Sequence, residues 1–257
     1  MLLNNKYIII LIIITIICLK ITKLKANNMN MIDFYFLDKY FIKQYNKWCS
    51  LNSYDKDISF PNMELNFPNH IIFKNNWEII KEEAMNIYNN GYSQLINTDY
   101  FFKIIADNKW RKFYIKWYGS IVDEAYKLCP KTCELISQLP EVKLAMFSIL
   151  EPGSKIKRHE GPFKGCFRYH LGLNCPKDAF IIVDNIKYGW KDGDDILFDD
   201  TFTHEVNNLS NKVRIILFCD VERKMKDAFC EKINKLVIDF VAPITNRTND
   251  LQEKHLK

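Results

Sequence analysis

The sequence predicts a mainly β fold: a double-stranded β-helix (a jelly-roll, cupin-like barrel) with flanking N-terminal helices. Two observations predict it. From position 142 onward, short apolar runs alternate with turns rich in Pro, Gly, Asn and Asp, which is typical of such barrels. Before that position, apolar residues recur mainly at helical spacing. A chain of 257 residues is long enough to bury the core of one such domain without crosslinks.

The helical part is predicted from apolar periodicity. Trp77 to Asn89 forms the clearest helix, and Asp123 to Leu139 predicts another that is broken around Pro130. Weaker helical spacing occurs at 33–48 and returns in the tail from Glu222. Four apolar residues share one face of the clearest helix at spacings of three and four: Trp77, Ile80, Ala84 and Ile87.

The β part is predicted from short apolar runs bounded by turn residues. His159 lies between the first and second of these runs and His204 between the fourth and fifth, and a polar residue interrupts several of the runs. The predicted strands are 142–150, 167–173, 179–183, 195–198 and 213–219.

The N-terminus carries an apolar run from Tyr7 to Leu19, interrupted only by Thr15 and closed by the lysine-rich 20–25. The run is shorter than the roughly 20 residues that span a bilayer. Extension through Ile21 and Leu24 with snorkelling lysines nearly reaches that length. A cleaved signal peptide is the alternative, but no small-x-small cleavage site follows. We therefore expect an uncleaved membrane anchor, whose orientation the flanking charges do not determine.

Charge argues against one class of partner. Lysine and arginine total 36 against 31 acidic residues, a net charge of +5, and the lysines are spread along the chain. Because the chain has no dense basic stripe with interleaved aromatic residues, we expect no nucleic-acid binding.

Cysteines and sequons fit a secretory compartment without requiring one. Of eight cysteines, Cys129 and Cys133 are close enough for a local disulfide, whereas a single CxxxC is a poor zinc signal. Asn208 and Asn246 begin N-glycosylation triplets that are usable only in that compartment.

The candidate metal ligands are His159 and His204, which lie 45 positions apart, with Arg214 ten residues after the second. This is the ligand order of an iron site on a jelly-roll barrel, and imidazole suits ferrous iron. The usual site adds a carboxylate two residues after the first histidine, where this chain has Gly161. A lone histidine is more often a core or surface residue, but here one follows a Glu-Pro-Gly turn and the other precedes a buried strand.

Arg214 is a candidate ligand for a dicarboxylic cosubstrate. Strand alternation points it to the face opposite Val213 and Ile215, and an arginine inside a barrel is costly unless an anion meets it. The alternative is a structural ion pair with Asp199 or Asp200.

Three further polar residues interrupt apolar strands. Arg168 and His170 alternate with apolar neighbours, so both point to the same side of one strand. Ser148 lies in the strand at 142–150, where a tolerated small residue is the alternative.

Acidic residues offer a competing metal site, since carboxylates at close spacing bind hard cations such as calcium. We expect most of them to be solvated turn residues, with one orienting His204. Glu160 is a weaker alternative ligand, because its side chain points away from that of His159 in an extended segment. The acidic cluster comprises Asp192, Asp194, Asp195, Asp199 and Asp200.

Together these residues resemble the aspartyl/asparaginyl β-hydroxylases, a family of iron- and 2-oxoglutarate-dependent dioxygenases. The resemblance spans roughly 67–225. The most specific feature is FDDTFTHEV with the arginine ten residues after its histidine. The matching segments are FPNHIIFKNNWEIIKEEA (67–84), CPKTCELISQLP (129–140), HEGP (159–162), RYHLGL (168–173), the Trp190/Gly193 pair, FDDTFTHEV (198–206) and 208–220.

The resemblance implies roles for individual residues. His159 and His204 would bind Fe(II), with a water in the position of the missing carboxylate. Arg214 with Ser148 would hold the C5 carboxylate of the cosubstrate 2-oxoglutarate. Arg168 and His170 would contact its C1 carboxylate end near the metal, where dioxygen also binds. The family lacks the facial carboxylate, so the glycine at position 161 fits it.

The resemblance also implies a substrate and a location. The substrate would be the β-carbon of an Asp or Asn in a protein, often within a small disulfide-rich module. The same motifs occur in relatives that hydroxylate lipid acyl chains, and a membrane anchor suits that substrate or a small molecule equally. A third hypothesis is a non-catalytic ligand-binding barrel. Some members are anchored in the endoplasmic reticulum with a lumenal catalytic domain, which we expect here.

The predicted organisation has four segments. Residues 1–25 form the membrane anchor or signal sequence, and residues 26–66 a poorly defined lead-in. Residues 67–225 form the catalytic domain, and residues 226–257 a helical and then polar tail.

Overall fold

The computed structural model describes residues 42–92, 94–95 and 109–245. Two antiparallel sheets dominate it. The major sheet has the strand order β1-β2-β4-β11-β6-β9, with β3 paired to β2. Its strands are β1 (Gln94–Leu95), β2 (Trp110–Trp117), β3 (Ser120–Ile121), β4 (Val142–Leu150), β6 (Cys166–Asn174), β9 (Asp195–Phe198) and β11 (Arg214–Glu222).

The minor sheet has the order β5-β10-β7-β8. From β4 onward, most neighbouring strands are distant in sequence, as in the pairs β4–β11, β6–β11 and β5–β10, and consecutive strands such as β4 and β5 lie in different sheets; the local hairpin β7–β8 is an exception. This alternation is the topology of a double-stranded β-helix, so the predicted mainly β jelly-roll fold is confirmed. The strands of the minor sheet are β5 (Ser154–His159), β7 (Ala179–Val183), β8 (Ile186–Gly189) and β10 (His204–Asn208).

Seven described helices flank the barrel: six precede β4 in the chain and one follows β11. The predicted helix from Trp77 to Asn89 is confirmed with the same bounds. The predicted break at Pro130 separates the helix Asp123–Leu128 from the helix Pro130–Ser137, which begins at this proline. Residues 33–41 of the weaker predicted helix lie outside the described residues. The helices are α1 (Lys43–Asn52), α2 (Met63–Asn66), α3 (His70–Asn75), α4 (Trp77–Asn89), α5 (Asp123–Leu128), α6 (Pro130–Ser137) and α7 (Ala228–Thr245).

Apolar side chains form a core on each side of the major sheet. On the outer side, Phe147 and Leu217 pack with helix residues such as Ile80 and Ile136. Between the two sheets, a second core joins residues of the major sheet to residues of the minor sheet. The major sheet is therefore buried on both faces, and only its inner face can carry a site within the barrel. The core between the sheets includes Leu150, Ile196, Phe198 and Ile216 from the major sheet, and Ile156, Ile181, Val183 and Val206 from the minor sheet.

Helices α1 and α7 pack together beside the barrel. The Tyr45 hydroxyl donates to the Asn234 side chain, and Ser53 pairs with Met225 in an isolated antiparallel bridge. Within the described ranges, no helix is long and apolar enough to cross a membrane. The anchor predicted at 7–19 lies outside those ranges.

Among the described residues the structure shows neither a disulfide nor an exposed asparagine at the Asn208 glycosylation triplet. Cys129 and Cys133 are buried free thiols, so the local disulfide does not form, and each of the other five described cysteines is also free. Asn208 is fully buried, and its side-chain amide donates to the carbonyls of Leu150, Glu151 and Lys212. In the folded chain this asparagine is therefore inaccessible to glycosylation. The second triplet, at Asn246, lies outside the described residues.

Candidate metal and anion site

His159 and His204 meet on the minor sheet. His159 is the last residue of β5, His204 is the first of β10, and the two are paired across the ladder, with their ring centroids 4.2 Å apart. A register shift between His204 and Val206 marks a β-bulge beside the pair. Bulges re-aim side chains next to functional sites. The structure therefore brings together the two histidines that the sequence separates by 45 residues.

The two rings are oriented in the same way. Nδ1 of His159 lies 2.7 Å from the carbonyl oxygen of Lys157, and Nδ1 of His204 lies 2.9 Å from that of Phe202. A carbonyl only accepts, so each Nδ1 carries the proton and donates it. The Nε2 lone pair of each ring is then available. Metal-binding histidines typically have this outer hydrogen bond, which fixes tautomer and ring orientation.

Both histidines are held neutral. Burial and the neighbouring His204 lower the pKa of His159 to about 4. Burial also lowers the pKa of His204 below its ordinary value. Metal ions bind the neutral imidazole, so near neutral pH no proton has to be displaced before a cation binds.

The carboxyl of Asp200 occupies the space next to position 161. A Cβ placed on Gly161 would overlap the Asp200 carboxyl, and the Gly161 N–H donates to the Asp200 carbonyl at 2.7 Å. Asp200 is 6% exposed. Burial alone would raise its pKa, but Arg168 and the two histidines lower it below the ordinary value. A buried negative charge therefore lies beside the histidine pair, on a different loop from the one where such sites usually have their carboxylate.

Arg168 joins this acid to a second one. Its two terminal nitrogens pair with the carboxylates of Asp200 and Asp220, and its guanidinium carbon lies 4.2 Å from the centroid of the Phe218 ring. It lies on the same face of β6 as His170, as predicted from strand alternation, since Arg168 is opposite Asp220 and His170 is opposite Phe218 on β11. The two ion pairs were not predicted.

Arg214 is buried without an anionic partner. It is 1% exposed, and no carboxylate in the described part of the chain lies within ion-pair distance. The Nη1 of Arg214 donates to the carbonyl oxygen of Ser148 at 3.2 Å and to its hydroxyl oxygen at 3.4 Å. The Nε of Arg214 has no hydrogen-bond partner. Burial lowers the pKa of Arg214 to about 10, so it stays charged at neutral pH. The alternative of an ion pair with Asp199 or Asp200 is wrong, because these acids pair with Arg223 and Arg168.

Ser148 is part of the same arrangement. Its hydroxyl accepts from the indole N–H of Trp110 at 3.0 Å, and it lies opposite Ile216 on β11. Trp110, at the start of β2, was not predicted. The signal was the aromatic-rich segment WRKFYIKW at 110–117, whose charged residues hid its β character.

His170 is buried among aromatic rings, with both ring nitrogens unpartnered. Its ring lies 5.0 Å from Phe198, 5.2 Å from Phe218 and 5.8 Å from Trp190. Burial, with Arg214 as the next cause, lowers the pKa of His170 well below its ordinary value. The indole nitrogen of Trp190 is also buried and unpartnered, and its ring lies 5.1 Å from the Arg214 guanidinium. Buried polar atoms normally have partners, so this group is suited to a polar ligand.

The competing acidic site does not form, because its members pair with different cations. Asp192 pairs with Lys81, Asp195 with His70 and Lys74, Asp199 with Arg223 and Asp200 with Arg168. The expectation that most are solvated is wrong for Asp195, Asp199 and Asp200, which are buried in these ion pairs. Glu160 accepts from the Thr203 hydroxyl at 2.8 Å. In the described ranges, no three His, Cys, Asp or Glu residues gather as a metal site.

The residues present fit a ferrous ion with a dicarboxylate beside it. Two neutral imidazoles are acceptable iron ligands, and two protein ligands leave positions open for other donors. The buried, unpaired guanidinium of Arg214 matches a carboxylate, and the unpartnered ring of His170 can donate to one. The site thus combines a place for a cation with a place for an anion inside one apolar barrel.

Part of the chain is similar in sequence to a known family of hydroxylases. The family model for aspartyl/asparaginyl β-hydroxylases matches residues 74–224. An ornithine lipid ester-linked acyl 2-hydroxylase from Rhizobium tropici is 37% identical over 126 residues, covering 48% of this chain and 45% of that protein. The human aspartyl/asparaginyl β-hydroxylase is 31% identical over 152 residues, covering 57% of this chain and 20% of that protein. The chain thus matches less than half the length of either relative.

Among solved structures, a prolyl-4-hydroxylase from Pseudomonas putida aligns with 60% of this chain and 88% of that chain. Its sequence identity is 16% and its TM-score is 0.39, a likeness too low to indicate function.

Proposed function

The chain belongs to the aspartyl/asparaginyl β-hydroxylase family, and from this premise we propose that it is an Fe(II)- and 2-oxoglutarate-dependent hydroxylase. The observation that carries the proposal is the pairing of two neutral histidines, each with its Nδ1 held by a backbone carbonyl, with a buried arginine that has no protein anion. A jelly-roll barrel used only for packing would gain stability by replacing such an arginine with an apolar residue.

His159 and His204 would hold the iron through Nε2, and the carbonyls of Lys157 and Phe202 fix the tautomer and orientation of each ring. The Asp200 carboxylate contributes negative charge next to a bound cation. Because these groups are already oriented, binding requires little rearrangement of the chain.

Arg214 would neutralise the distal carboxylate of 2-oxoglutarate, with the Ser148 hydroxyl as a second donor held by Trp110. His170 would donate to the carboxylate nearer the iron as a neutral ring. Arg168 is proposed to act on the same carboxylate, although its terminal nitrogens also pair with two acids. Phe198, Phe218 and Trp190 surround His170 and exclude water.

With iron and 2-oxoglutarate bound, the site supplies oxidative chemistry: one atom of dioxygen enters a substrate C–H bond as hydroxyl, the other enters succinate, and CO2 leaves. The protein itself supplies binding, orientation and a dry pocket.

Two substrate classes come from the relatives. The name of the human relative suggests the β-carbon of an Asp or Asn residue. We propose that this residue belongs to a protein, such as a disulfide-rich module. The rhizobial relative suggests a lipid acyl chain. Attachment to a membrane through the segment at 7–19, and a lumenal location, remain part of the proposal.

The test is production of succinate by the full chain with Fe(II), 2-oxoglutarate and oxygen. We expect succinate to form with the wild-type chain and to fall to background when His204 is replaced by Ala, with the fold retained. A folded wild-type chain that binds no iron and forms no succinate would leave the non-catalytic ligand-binding barrel as the function.

A further inference from the structure

The hairpin turn between β2 and β3 contains a tyrosine in an unfavourable backbone conformation. Trp117 pairs with Ser120, so the loop consists of Tyr118 and Gly119 alone. Both have positive φ angles, +35° and +133°. Loops of this length favour Asn-Gly or Asp-Gly, because a residue with a bulky side chain rarely adopts a positive φ. Such strain in the backbone is concentrated at functional sites, so the side chain of Tyr118 is a candidate for a specific role.

The Tyr118 side chain contacts a buried acid. Its hydroxyl lies 2.7 Å from Oδ2 of Asp220 on β11, and Asp220 is 5% exposed. Burial raises the pKa of the Tyr118 hydroxyl, so the hydroxyl keeps its proton and donates it to the carboxylate. The Tyr118 ring also packs edge to face against Trp117, with their centroids 5.8 Å apart. The turn thus places one hydrogen-bond donor on Asp220.

The other oxygen of Asp220 binds Arg168. Oδ1 pairs with Nη1 of Arg168, which lies directly opposite Asp220 in the ladder between β6 and β11. The two carboxylate oxygens therefore have different partners, Tyr118 and Arg168. Because a carboxylate is planar and rigid, a hydrogen bond that fixes one oxygen also fixes the direction in which the other faces Arg168.

The charges around Arg168 distinguish this acid from the second one. One positive charge on Arg168 meets two negative charges, because its Nη2 pairs with Asp200. Asp200 lies beside the histidine pair, where a bound cation would balance its charge. Asp220 is then the carboxylate left to neutralise Arg168. It lies on a strand in the middle of the major sheet, whereas Asp200 lies on a loop.

We propose that Asp220 and Tyr118 are positioning residues that aim Arg168 at the cosubstrate carboxylate nearer the iron. The inference rests on the proposed function, in which Arg168 acts on that carboxylate, and it adds two residues that act through Arg168. A guanidinium binds a carboxylate best when its planar fork faces the two oxygens. An arginine already held in that direction loses less conformational freedom on binding, so the cosubstrate binds more tightly.

The experiment compares two tyrosine variants of the full chain. Tyr118→Phe removes only the hydroxyl that holds Asp220. Tyr88→Phe is the matched control, because the Tyr88 hydroxyl donates to Glu151 at 3.0 Å and Glu151 pairs with Arg111. That second tyrosine–acid–arginine chain includes none of the proposed site residues.

The quantity measured is the Kd of 2-oxoglutarate, by anaerobic calorimetric titration of the Fe(II)-loaded chain. We expect Tyr118→Phe to raise it roughly three- to tenfold, as for the loss of one hydrogen bond, and Tyr88→Phe to leave it unchanged. Asp220→Asn removes the charge as well and should raise the Kd further. The same Kd in both tyrosine variants would overturn the inference, whether or not the Asp220 variant folds.

A second background tests whether Tyr118 acts through Arg168. Arg168→Lys keeps the positive charge but loses the planar fork. In the Arg168→Lys chain, the further change Tyr118→Phe should leave the Kd of 2-oxoglutarate unchanged, because residues in one network do not contribute additively. An equal rise in Kd with and without Arg168→Lys would show that Tyr118 acts independently and would overturn the positioning role.

Fe(II) binding without cosubstrate separates this inference from a general structural role and from the proposed function. We expect Tyr118→Phe to bind Fe(II) as tightly as the wild type. A loss of Fe(II) affinity as large as the loss for 2-oxoglutarate would indicate a general disturbance of the site and would overturn the inference alone. A folded wild-type chain that binds neither Fe(II) nor 2-oxoglutarate overturns the proposed function and the inference with it.

Discussion

Gly161 lies against the carboxyl of Asp200 so closely that a Cβ at position 161 would overlap the acid's oxygens. The space that a carboxylate at 161 would need is thus filled by a carboxylate from the loop between β9 and β10. The backbone reinforces this arrangement, because the Gly161 N–H donates to the Asp200 carbonyl at 2.7 Å. The side chain of Asp200 therefore occupies the space that a carboxylate at position 161 would need.

Restoring a carboxylate at 161 should harm the site. We expect Gly161→Asp to destabilise the fold by about 1–3 kcal/mol, as overpacking does, and to weaken Fe(II) binding. Removing the overlap with Asp200→Gly in the same chain should recover part of both losses. Gly189→Asp is the control, since a Cβ there meets no atom closer than the Ala179 carbonyl oxygen at 4.0 Å, an ordinary contact. Tighter iron binding by the single variant would contradict the argument.

Arg214→Met should separate stability from cosubstrate binding. Losing a charge-assisted contact costs about 2 kcal/mol or more, so we expect the Kd for 2-oxoglutarate to rise roughly 30-fold or more. The cosubstrate-free chain should lose little unfolding free energy, because the buried guanidinium has no anion to lose. Calorimetric titration and urea unfolding measure the two quantities. Arg111→Met, at a partly buried ion pair with Glu151, is the control and should leave the Kd unchanged.

Stability of the iron-free chain should fall as pH drops below 6.5. In the folded chain the pKa of His159 is about 4, and the pKa values of His170 and His204 are also lowered. The unfolded chain therefore binds more protons between about pH 4 and pH 6.5, so unfolding becomes easier as pH falls through that window. Above pH 6.5 this contribution is complete. Urea unfolding across the window measures it, and His170→Gln should reduce the slope; an unchanged slope would contradict the burial of a neutral His170.

The loop after His159 is held by α1, which precedes the residues that the family model matches. The Asn46 amide donates to the Pro162 carbonyl at 2.8 Å and accepts from the Lys164 N–H at 2.9 Å. We expect Asn46→Ala to weaken Fe(II) binding several-fold, because it frees the loop that follows a metal ligand. Lys47→Ala, on the exposed side of the same helix, is the control. Equal iron affinity in both variants would show that the loop does not need this support.

Much of the fold could be predicted because most of its helices and strands bury apolar side chains on one or both faces, which leaves a periodic apolar pattern in the sequence. The helix from Trp77 to Asn89 follows from spacing alone, and the predicted runs fall on β4, β6, β7, β9 and β11. Strands β5 and β8 were missed because their outward residues are lysines: Lys155, Lys157 and Lys187 are exposed. Ile156 is the one apolar residue of β5, and β8 has four residues with a lysine among them, so neither forms an apolar run.

The histidine pair and Arg214 could be predicted because their spacing in sequence reflects the order of the strands. The pairing of Arg168 with Asp200 and Asp220 could not, since it depends on which strands become neighbours. The same limit explains why Asp199 was expected in solvent. Its partner, Arg223, lies 24 residues later, directly after β11, and is itself buried.

The central claim is that the chain binds one ferrous ion through His159 and His204, next to a 2-oxoglutarate held by Arg214. Anaerobic calorimetric titration of the full chain with Fe(II), with and without 2-oxoglutarate, tests it most directly. The account predicts one Fe(II) per chain, tighter binding when 2-oxoglutarate is present, and loss of iron binding in a folded His204→Ala variant. A folded wild-type chain that binds no Fe(II), or a His204→Ala variant that binds it as tightly as the wild type, would contradict the account.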